Sequence, residues 1–578
     1  MNRRIVSLSA ALALAVVLSG CVSLPTSGPV VESGGTNRTD TRRASDIDAR
    51  PPGTGATRTE VITGFLDAMT AWPIQTSVAK QYLTGEAAAG WNPEQETVIY
   101  SDSLPVRETA GSVSVQLTAA DRLDQIGAWR GAMSKDELTL TFHLAIENGE
   151  FRIADPPDAL VVPASWFRQR YRQVSLFYFD PLAQILVPEP VFVPLGDQLA
   201  SSLVSALLSG PPPLARGIVR SFLPPGLTVG LSVPVDDEGI AHVTLVGEAP
   251  KVTAEEAELM LAQLAWTLRQ DPSITALRVN LDGTDLPLPG GASQYSVESA
   301  SAFGPAGPGS GHQVYGISRG RLVSGPLGEL SVVTGDFGAD DAGLVAVAVR
   351  PDGERVAGVD LGGRRVRVGP LRADSAEALT TVLSGGQYAR PSWDSVGRLW
   401  VLDRRSGSAV VWLVEDGEAR QVDVAGVTGA RARSLIVSRD GTRLIAVVRG
   451  PDGDRVLGAR VVLGARGRVG LTHEASVVRP ADGSRIADLS WTSPIQIGLL
   501  APTSPGVLSE VDVVSADGAT VGVDALSTIV TGRVIGFTAS PVADTPMLAV
   551  YGDRYIDVVR QESYDAGSLP LTQLDYAG

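Results

Sequence analysis

The chain begins with two cationic residues, continues as an apolar run and then reaches small residues. Arg3 and Arg4 precede residues 5–18, which are mostly Ala, Leu, Val and Ile, and the letters LSGC end at Cys21. This pattern predicts a secretory signal with a bacterial lipobox. We expect cleavage after Gly20, an S-diacylglycerol on the Cys21 thiol and an N-acyl group, which together anchor a chain in a membrane. The alternatives are an ordinary signal peptide with a coincidental cysteine and an uncleaved helix.

Residues 21–56 are small and polar, with Ser, Thr, Gly, Pro and Arg recurring without periodicity. Such a stretch buries too little apolar surface to order itself. We therefore expect residues 1–20 to be the signal peptide, and residues 21–56 to be the lipidated cysteine followed by a flexible tether.

Helical periodicity first appears within residues 57–160. Thr59 is the expected N-cap of a helix whose apolar stripe is Val61, Ile62, Phe65, Leu66 and Met69. Strand-like runs follow, and Asn148-Gly149 separates the last two in the manner of a two-residue hairpin turn. Helices followed by a curved antiparallel sheet predict an α+β cone, similar to the nuclear-transport-factor-2-like fold, which holds an apolar pocket.

Residues 174–289 mix helical and strand periodicity. Asp197 is the expected N-cap of one helix, and a second begins at Thr253, where Thr253 and Glu256 match a capping box. Strands are expected at 240–246 and 276–281, so this segment predicts a compact α/β domain. Residues 290–312 are rich in Gly, Pro, Ser and Ala, and we interpret them as a linker or exposed loop.

Helical stripes vanish over residues 313–578, where short β-rich runs alternate with Gly and Asp turns. Gly353, Gly397 and Gly441 stand 44 residues apart in a loose repeat. That interval is the length of one four-stranded propeller blade. The segment therefore predicts an all-β propeller of about five to six blades, for which strand exchange is one way to close. A β-sandwich with coincidental spacing is the alternative.

Composition narrows the range of functions. The 578 residues carry a net charge of −16, the pI is about 4.9, and no basic patch indicates nucleic-acid binding. After the N-terminal run no apolar stretch approaches the length of about 20 residues that spans a bilayer. The one cysteine excludes disulfides and cysteine-based zinc or iron–sulfur sites within the chain.

Three features of the sequence are candidate sites of chemistry. Ser77 and Lys80 spell the S-x-x-K motif of penicillin-binding proteins, but its S-D-N and K-T-G partners are missing. Residues 236–239 read DDEG, yet an EF-hand needs Glu six residues after the Gly, and position 245 is Leu. His143 lies in an alternating run and either lines the cone pocket or is an ordinary core or surface histidine.

Two recurring residue types in the propeller segment have a structural and a functional interpretation. Aspartates recur at the repeat turns, where tight-turn chemistry explains them and ligand contact is the alternative: Asp352, Asp394 and Asp440. Tryptophans form either blade cores or an aromatic recognition surface: Trp393, Trp400 and Trp491. The four histidines are far apart in sequence: His143, His242, His312 and His473. We assign no catalytic residue, metal ligand or cofactor.

Several stretches resemble the actinobacterial LpqB lipoprotein family over the whole chain. They are GEFRIADPP at 149–157, the strand at 174–180 with LVPE at 186–189, the helix end at 203–211, and the helix, strand and turn of 262–283. The resemblance implies a lipobox, an N-terminal α+β domain, a GerMN-type domain and a C-terminal propeller. These motifs are mainly structural.

The resemblance also implies a function. The family is associated with the sensor kinase MtrB and the response regulator MtrA, which govern cell-wall homeostasis and division. We therefore expect a non-enzymatic lipoprotein on the extracytoplasmic face of the cell membrane, which binds the sensor domain of a histidine kinase. One alternative is a lipoprotein that binds or organises cell-wall glycan such as peptidoglycan. The other is a hydrolase that acts on the cell wall or on lipid.

Overall fold

A computed structural model describes residues 48–578, except 197, 249–251, 308–312, 374, 376, 406, 464–468, 473–475, 481 and 523–525. Cys21, the signal peptide and most of the expected tether lie outside the described residues, as do Asp197, His312 and His473. None of the helices in the described part of the chain has both the length and the apolar character that a bilayer crossing requires.

The first domain begins with the helix Arg58–Ala68. Its N-cap is Thr57, not Thr59, because the Thr57 hydroxyl accepts from the Glu60 N–H while the Glu60 carboxylate accepts from the Thr57 N–H. This reciprocal capping box requires Glu or Gln three residues after the cap, which Thr59 lacks. The predicted stripe is otherwise confirmed, with Val61, Ile62 and Phe65 fully buried.

A curved sheet completes this domain. Its strands are Glu96–Ser103, Arg107–Glu108, Val113–Asp124, Trp129–Ala132, Thr139–Phe142 and Leu160–Pro163. The first and last of these pair in parallel, so the sheet is not antiparallel throughout as predicted. Separate hairpin strands Leu144–Glu147 and Glu150–Ile153 flank the predicted Asn148-Gly149 turn. The remaining helical segments are Ala79–Tyr82, Gly85–Gly90 and Ala164–Arg170.

The second domain is α/β, as predicted. An antiparallel pair, Tyr171–Phe179 and Leu186–Pro194, packs with the helices Leu199–Leu208 and Ala254–Leu268. The second helix has the predicted capping box at Thr253. Strands Ile240–Val246 and Ala276–Leu281 pair in parallel, with this helix in the connection between them. The short elements are Pro213–Ala215, Thr228–Val229, Thr284–Asp285 and Pro289–Gly291.

The expected linker at 290–312 belongs in part to the second domain. Strand Tyr295–Ser296 pairs with Ala276–Leu281, and Tyr295 is buried in the same core. Trp266 Nε1 donates a 2.8 Å hydrogen bond to the carbonyl of Ala300. The segment is rich in glycine and serine, a composition that is typical of a linker. Its few apolar residues nevertheless anchor it in the core of the second domain.

The described strands beyond residue 313 form six sheets. The first joins Val314–Ser318, Arg321–Gly325 and Ser331–Val332 to Leu571–Tyr576. The second is Leu344–Val349, Arg355–Asp360, Arg365–Pro370 and Thr380–Ser384. The third is Ser392–Trp393, Leu399–Asp403, Val410–Glu415 and Glu418–Val422. The fourth is Ala432–Val437, Arg443–Gly450, Gly453–Leu463, Val469–Thr472 and Ser476–Arg479. The fifth is Asp488–Ser493, Gln496–Ser504, Leu508–Ser515 and Ser527–Thr531. The sixth is Gly536–Thr538, Leu548–Val550, Arg554–Asp557 and Ser563–Asp565.

These sheets follow one another around a ring, because the innermost strand of each contacts that of the next. Strand Leu571–Tyr576 closes the ring by pairing with Val314–Ser318, the strand exchange considered above. Gly353, Gly397 and Gly441 all have positive φ and turn the chain between the first two strands of successive sheets. The repeat therefore marks equivalent turns of a propeller and not a β-sandwich.

Candidate functional site

A buried carboxylate of the second domain is held by two arginines of the propeller. Glu189 is 4% exposed. Its Oε1 accepts a 2.5 Å hydrogen bond from Arg460 Nη2, and its Oε2 accepts one of 3.2 Å from Arg460 Nη1. Arg443 Nη2 lies 3.1 Å from the same Oε2. We call Glu189, Arg443 and Arg460 the junction triad.

The propeller supplies two like charges that require an anion. Arg443 and Arg460 are directly opposite each other on neighbouring strands of the fourth sheet, an arrangement that destabilises a sheet when both residues carry the same charge. Burial and the nearby Arg460 lower the pKa of Arg443. The carboxylate of Glu189 lies between the two guanidinium groups and opposes this effect, so each domain satisfies the charges of the other.

The local sequence leaves the Glu189 strand available for this contact. Leu186–Pro194 has one strand neighbour among the described residues, Tyr171–Phe179. Pro188 and Pro190 flank Glu189 and lack an N–H, so this strand suits the edge of a sheet. Arg443 Nη2 donates a 2.6 Å hydrogen bond to the Pro188 carbonyl, which adds a main-chain contact to the triad.

A second polar contact joins the same hairpin to the fifth sheet. Gln173 Nε2 donates to Ser515 Oγ at 2.9 Å. Ser515 Oγ in turn lies 2.6 Å from Asp517 Oδ1, to which it donates. Burial raises the pKa of Asp517, and the Ser515 hydroxyl and the Ala519 N–H stabilise its charged form.

Apolar contacts join the first domain to both others. Phe192 of the second domain lies 5.3 Å from Phe167 and 6.1 Å from Trp129 between ring centroids. Ala519 and Val521 of the propeller pack into the same core. The described residues of all three domains accordingly belong to one compact unit. We call the propeller end that carries these contacts the covered face.

The centre of the covered face is also occupied. Arg439 is almost entirely buried, its Nη1 donates to the Ala306 carbonyl at 2.6 Å, and its Nη2 donates to the Ala577 carbonyl at 2.6 Å. Burial lowers the pKa of Arg439 to about 10. Ala306, in the segment that leaves the second domain, is therefore held against this face by a hydrogen bond.

A second arginine joins strands across the ring. Arg390 precedes the third sheet, and its Nη2 donates to Asp488 Oδ1 of the fifth sheet at 3.0 Å. Its Nη1 lies 3.1 Å from Asp575 Oδ2 of the closing strand. Burial raises the pKa of Asp575, and the charge of Arg390 opposes that rise. Arg390 thus connects three sheets that are not neighbours in sequence.

A crevice of about 150 Å³ lies between turns of the second domain and of the propeller. Its acidic side chains include Asp180 and Asp440, which serve their own turns. Asp180 Oδ1 accepts from the Ile185 N–H at 2.9 Å, and Asp440 Oδ1 accepts from the Thr442 N–H at 2.8 Å. Within the described ranges, no group of three His, Cys, Asp or Glu side chains is placed to hold a metal ion.

The recurring aspartates have the predicted turn roles. Asp352 Oδ1 accepts from the Glu354 N–H at 2.9 Å. Asp394 accepts from the Arg398 N–H at 2.9 Å and from Arg398 Nε at 2.6 Å. Asp440 also contacts the Ser438 hydroxyl at 2.7 Å. The recurrence reflects turn geometry, and the structure does not bring the three carboxylates together.

The tryptophans lie in the interior and not on a recognition surface. Trp393, Trp400 and Trp491 are 3%, 0% and 7% exposed. They pack in the cores of separate parts of the propeller. The interpretation as an aromatic surface is therefore wrong, and the blade-core alternative is correct.

The remaining candidates are surface features. His143 is exposed and hydrogen-bonds Asp155 through Nδ1, so it is a surface histidine. Asp236 Oδ1 accepts from the Ile240 N–H at 2.9 Å, which makes residues 236–239 a polar turn, and its Oδ2 lies 2.9 Å from His242 Nε2. Ser77 and Lys80 are both exposed.

Comparison with known proteins places these domains in a family. A family model described as the LpqB N-terminal domain matches residues 51–168, and one described as the LpqB beta-propeller domain matches residues 320–541. Lipoprotein LpqB of Thermobifida fusca is 30% identical over 86% of this chain and 87% of its own. The chain belongs to the LpqB lipoprotein family.

Further matches are a second relative, a family model and a solved structure. LpqB of Streptomyces coelicolor is 27% identical and covers 87% of each chain. The second domain of this chain matches, over residues 175–287, a family model described as sporulation and spore germination. The tandem GerMN domains of the sporulation protein GerM from Bacillus subtilis are 21% identical, with a TM-score of 0.19, over 22% of this chain and 47% of that one.

The junction triad and Arg390 were missed by reasoning from the sequence. Glu189 is 271 positions from Arg460, and Arg390 is 98 positions from Asp488, so no local motif contains these contacts. One signal was present: Glu189 is the only charge in the apolar run Leu186–Pro194 of this LpqB-family chain. A lone carboxylate in a buried strand needs a partner of opposite charge.

Proposed function

We propose that this LpqB-family lipoprotein is a non-enzymatic binding protein, anchored through Cys21 on the extracytoplasmic face of the cell membrane. In this proposal it modulates an MtrB-like sensor histidine kinase and thereby influences cell-wall homeostasis and division. Support comes from family membership and from the lipobox pattern ending at Cys21, and the kinase is the partner that the resemblance to this family implies.

The observation that favours a binding role most directly is the junction triad. Buried charges and apolar contacts join three domains into one unit on the covered face. A unit of this kind offers a partner a composite surface with fixed geometry, and little ordering entropy is then lost when the partner binds.

Binding modulates a kinase only through unequal affinity for two sensor states. A partner that prefers one state shifts the kinase toward it, whereas equal affinity shifts nothing. Anchoring both proteins in one membrane raises their effective concentration, so even a weak preference becomes useful.

The test combines capture from membranes with purified binding. The wild-type chain and Cys21→Ala are used as baits in detergent-solubilised membranes, and residues 22–578, which contain the compact unit, are titrated with the purified sensor domain by calorimetry. We expect saturable binding by residues 22–578 and reduced capture by Cys21→Ala. Absence of saturable binding, with cell-wall glycan fragments retained instead, would refute the kinase proposal and favour a wall-binding role.

A further inference from the structure

The propeller end opposite the covered face carries its own charge pattern. Turns between first and second strands, such as 394–398 and 438–442, lie on the covered face beside the second domain. Because neighbouring strands are antiparallel, turns between second and third strands lie at the opposite end. Loops that join consecutive sheets lie there too. We call this end the far face.

Four arginines of the far face form what we call the arginine patch: Arg364, Arg404, Arg431 and Arg433. Hydrogen bonds hold their loops side by side. Arg404 N donates to the Gln387 carbonyl at 2.8 Å, and the neighbouring Tyr388 N donates to the Gly363 carbonyl at 2.8 Å. Ala409 N donates to the Ala430 carbonyl at 2.9 Å, which brings the third-sheet turn against the loop that carries Arg431.

Carboxylates of the same loops are largely committed to other arginines. Asp360 pairs with Arg365 at 2.6 Å, and Asp403 pairs with Arg405 at 2.6 Å. Asp454 pairs with two further arginines of the fourth and fifth sheets, Arg449 and Arg485. Asp423, which is engaged in an interaction of its own, and Asp452 also lie in these loops. Among the described residues, none of the four patch arginines forms an ion pair with a carboxylate within 4.0 Å.

Arg404 shows the charge imbalance most clearly. It is half-buried, and its Nε has no hydrogen-bond partner among the described residues. Burial and the nearby positive charge of Arg433 both lower the pKa of Arg404. Two guanidinium groups that repel each other form a site that an anion would stabilise.

We propose that the arginine patch binds the phosphate groups of anionic phospholipid headgroups, so that the far face of the propeller lies against the membrane. Guanidinium groups bind phosphate oxygens through paired, charge-assisted hydrogen bonds. The net charge of −16 repels an anionic surface as a whole, so attraction must come from a local patch of this kind. The bilayer is the favoured occupant because a lipid-anchored chain is always within reach of it, and the inference rests on that part of the proposed function.

The experiment measures flotation of residues 22–578 with vesicles of phosphatidylcholine, alone or mixed with an equal amount of phosphatidylglycerol. The variant is Arg404→Gln with Arg433→Gln. Its matched control is Arg107→Gln with Arg168→Gln, since both are exposed arginines of the first domain that form no ion pair within 4.0 Å in the described part of the chain. Thermal melting of each variant establishes that folding is retained. Inorganic phosphate is titrated separately to distinguish free phosphate from lipid.

We expect binding to mixed vesicles only, weakened by added salt. The double variant should lose affinity by about 25-fold, from about fivefold per arginine near an anionic surface, and the control should lose less than about twofold. Equal loss in both variants, equal binding to neutral vesicles, or binding of phosphate without vesicles would each overturn the proposal. So would a patch that binds an acidic protein domain but no vesicle. The titration with the kinase sensor domain contains no lipid. Failure of the lipid-binding proposal can therefore be distinguished from failure of the kinase-binding proposal.

Discussion

Glu189 of the second domain accepts two hydrogen bonds from one guanidinium group, that of Arg460 in the propeller, at 2.5 and 3.2 Å. The two residues are 271 positions apart in sequence. Such a bidentate pair fixes orientation as well as distance. It therefore fixes the orientation of the second domain relative to the propeller as well as the contact between them.

Removing the carboxylate should destabilise the junction strongly. Glu189→Gln leaves Arg443 and Arg460 facing each other in a buried site, and the expected loss of unfolding free energy is about 3–5 kcal/mol. Urea denaturation of residues 22–578 measures it. The control is Glu298→Gln, whose partner Arg269 lies at 2.9 Å while Glu298 is 68% exposed, and which should cost at most about 1 kcal/mol. Equal losses would show that the triad does not join the domains.

Arg390→Met should destabilise the ring, and the loss should depend on pH. Asp488 and Asp575 would face each other without a cation, at an expected cost of about 3 kcal/mol near neutral pH. Burial already raises the pKa of Asp575, and loss of Arg390 raises it further. An acid with a raised pKa in the folded state takes up a proton more readily when folded, so acidification favours folding.

The measurement for Arg390→Met is therefore the difference in melting temperature from wild type at about pH 7.5 and at about pH 5, and the difference should be smaller at the acidic pH. Arg554→Met is the control, because its pair with Asp553 is exposed at 45% and 77%. A difference in melting temperature between Arg390→Met and wild type that stays constant or grows on acidification contradicts the assigned role of Asp575.

Gly441→Ala should lower the free energy of unfolding more than Gly417→Ala does. Both glycines have positive φ, +72° and +81°, so alanine is strained at each by about 1 kcal/mol. At Gly441 the added Cβ would also overlap the Arg398 guanidinium and lie 3.0 Å from Asp394 Oδ2, whereas Gly417 has open space. The expected additional loss is about 1–3 kcal/mol in urea denaturation. Indistinguishable variants would exclude close packing at this turn.

Phe303→Ala should weaken the second domain, although residue 303 lies in the segment first interpreted as a linker. The Phe303 ring meets Phe179 edge to face at 5.2 Å. Loss of this partly buried ring should cost about 2 kcal/mol. Hydrogen exchange should accelerate in the helix Ala254–Leu268, and Leu361→Ala, at a side chain 76% exposed, should leave exchange there unchanged. Acceleration confined to the propeller would restore the linker interpretation.

Local features of this fold were predictable from local sequence. The capping box at Thr253, the Asn148-Gly149 turn and the repeated turn glycines each depend on residues within a few positions of one another. The helix cap of the first domain follows the same rule: Thr57 has Glu60 three residues later, whereas the predicted cap Thr59 has Ile62 at that position.

The contacts between domains could not be predicted in this way. Glu189, Arg443 and Arg390 meet partners that are distant in sequence, and such pairings depend on how finished domains pack. The linker interpretation failed for a related reason: composition reports average polarity, whereas Tyr295 and Ala300 each find a specific site in an existing core. Whether each tryptophan lies in the core or on the surface likewise depends on how the sheets are arranged, and no local pattern determines that.

The strand Leu571–Tyr576 imposes an order on the synthesis of the protein. Its partner Val314–Ser318 is made more than 250 residues earlier, so the ribosome completes five sheets before the first sheet can obtain its innermost strand. Until then the edge of Val314–Ser318 has no partner, and an exposed edge readily pairs with other chains. A chain that is exported during this interval therefore crosses the membrane before its ring can close.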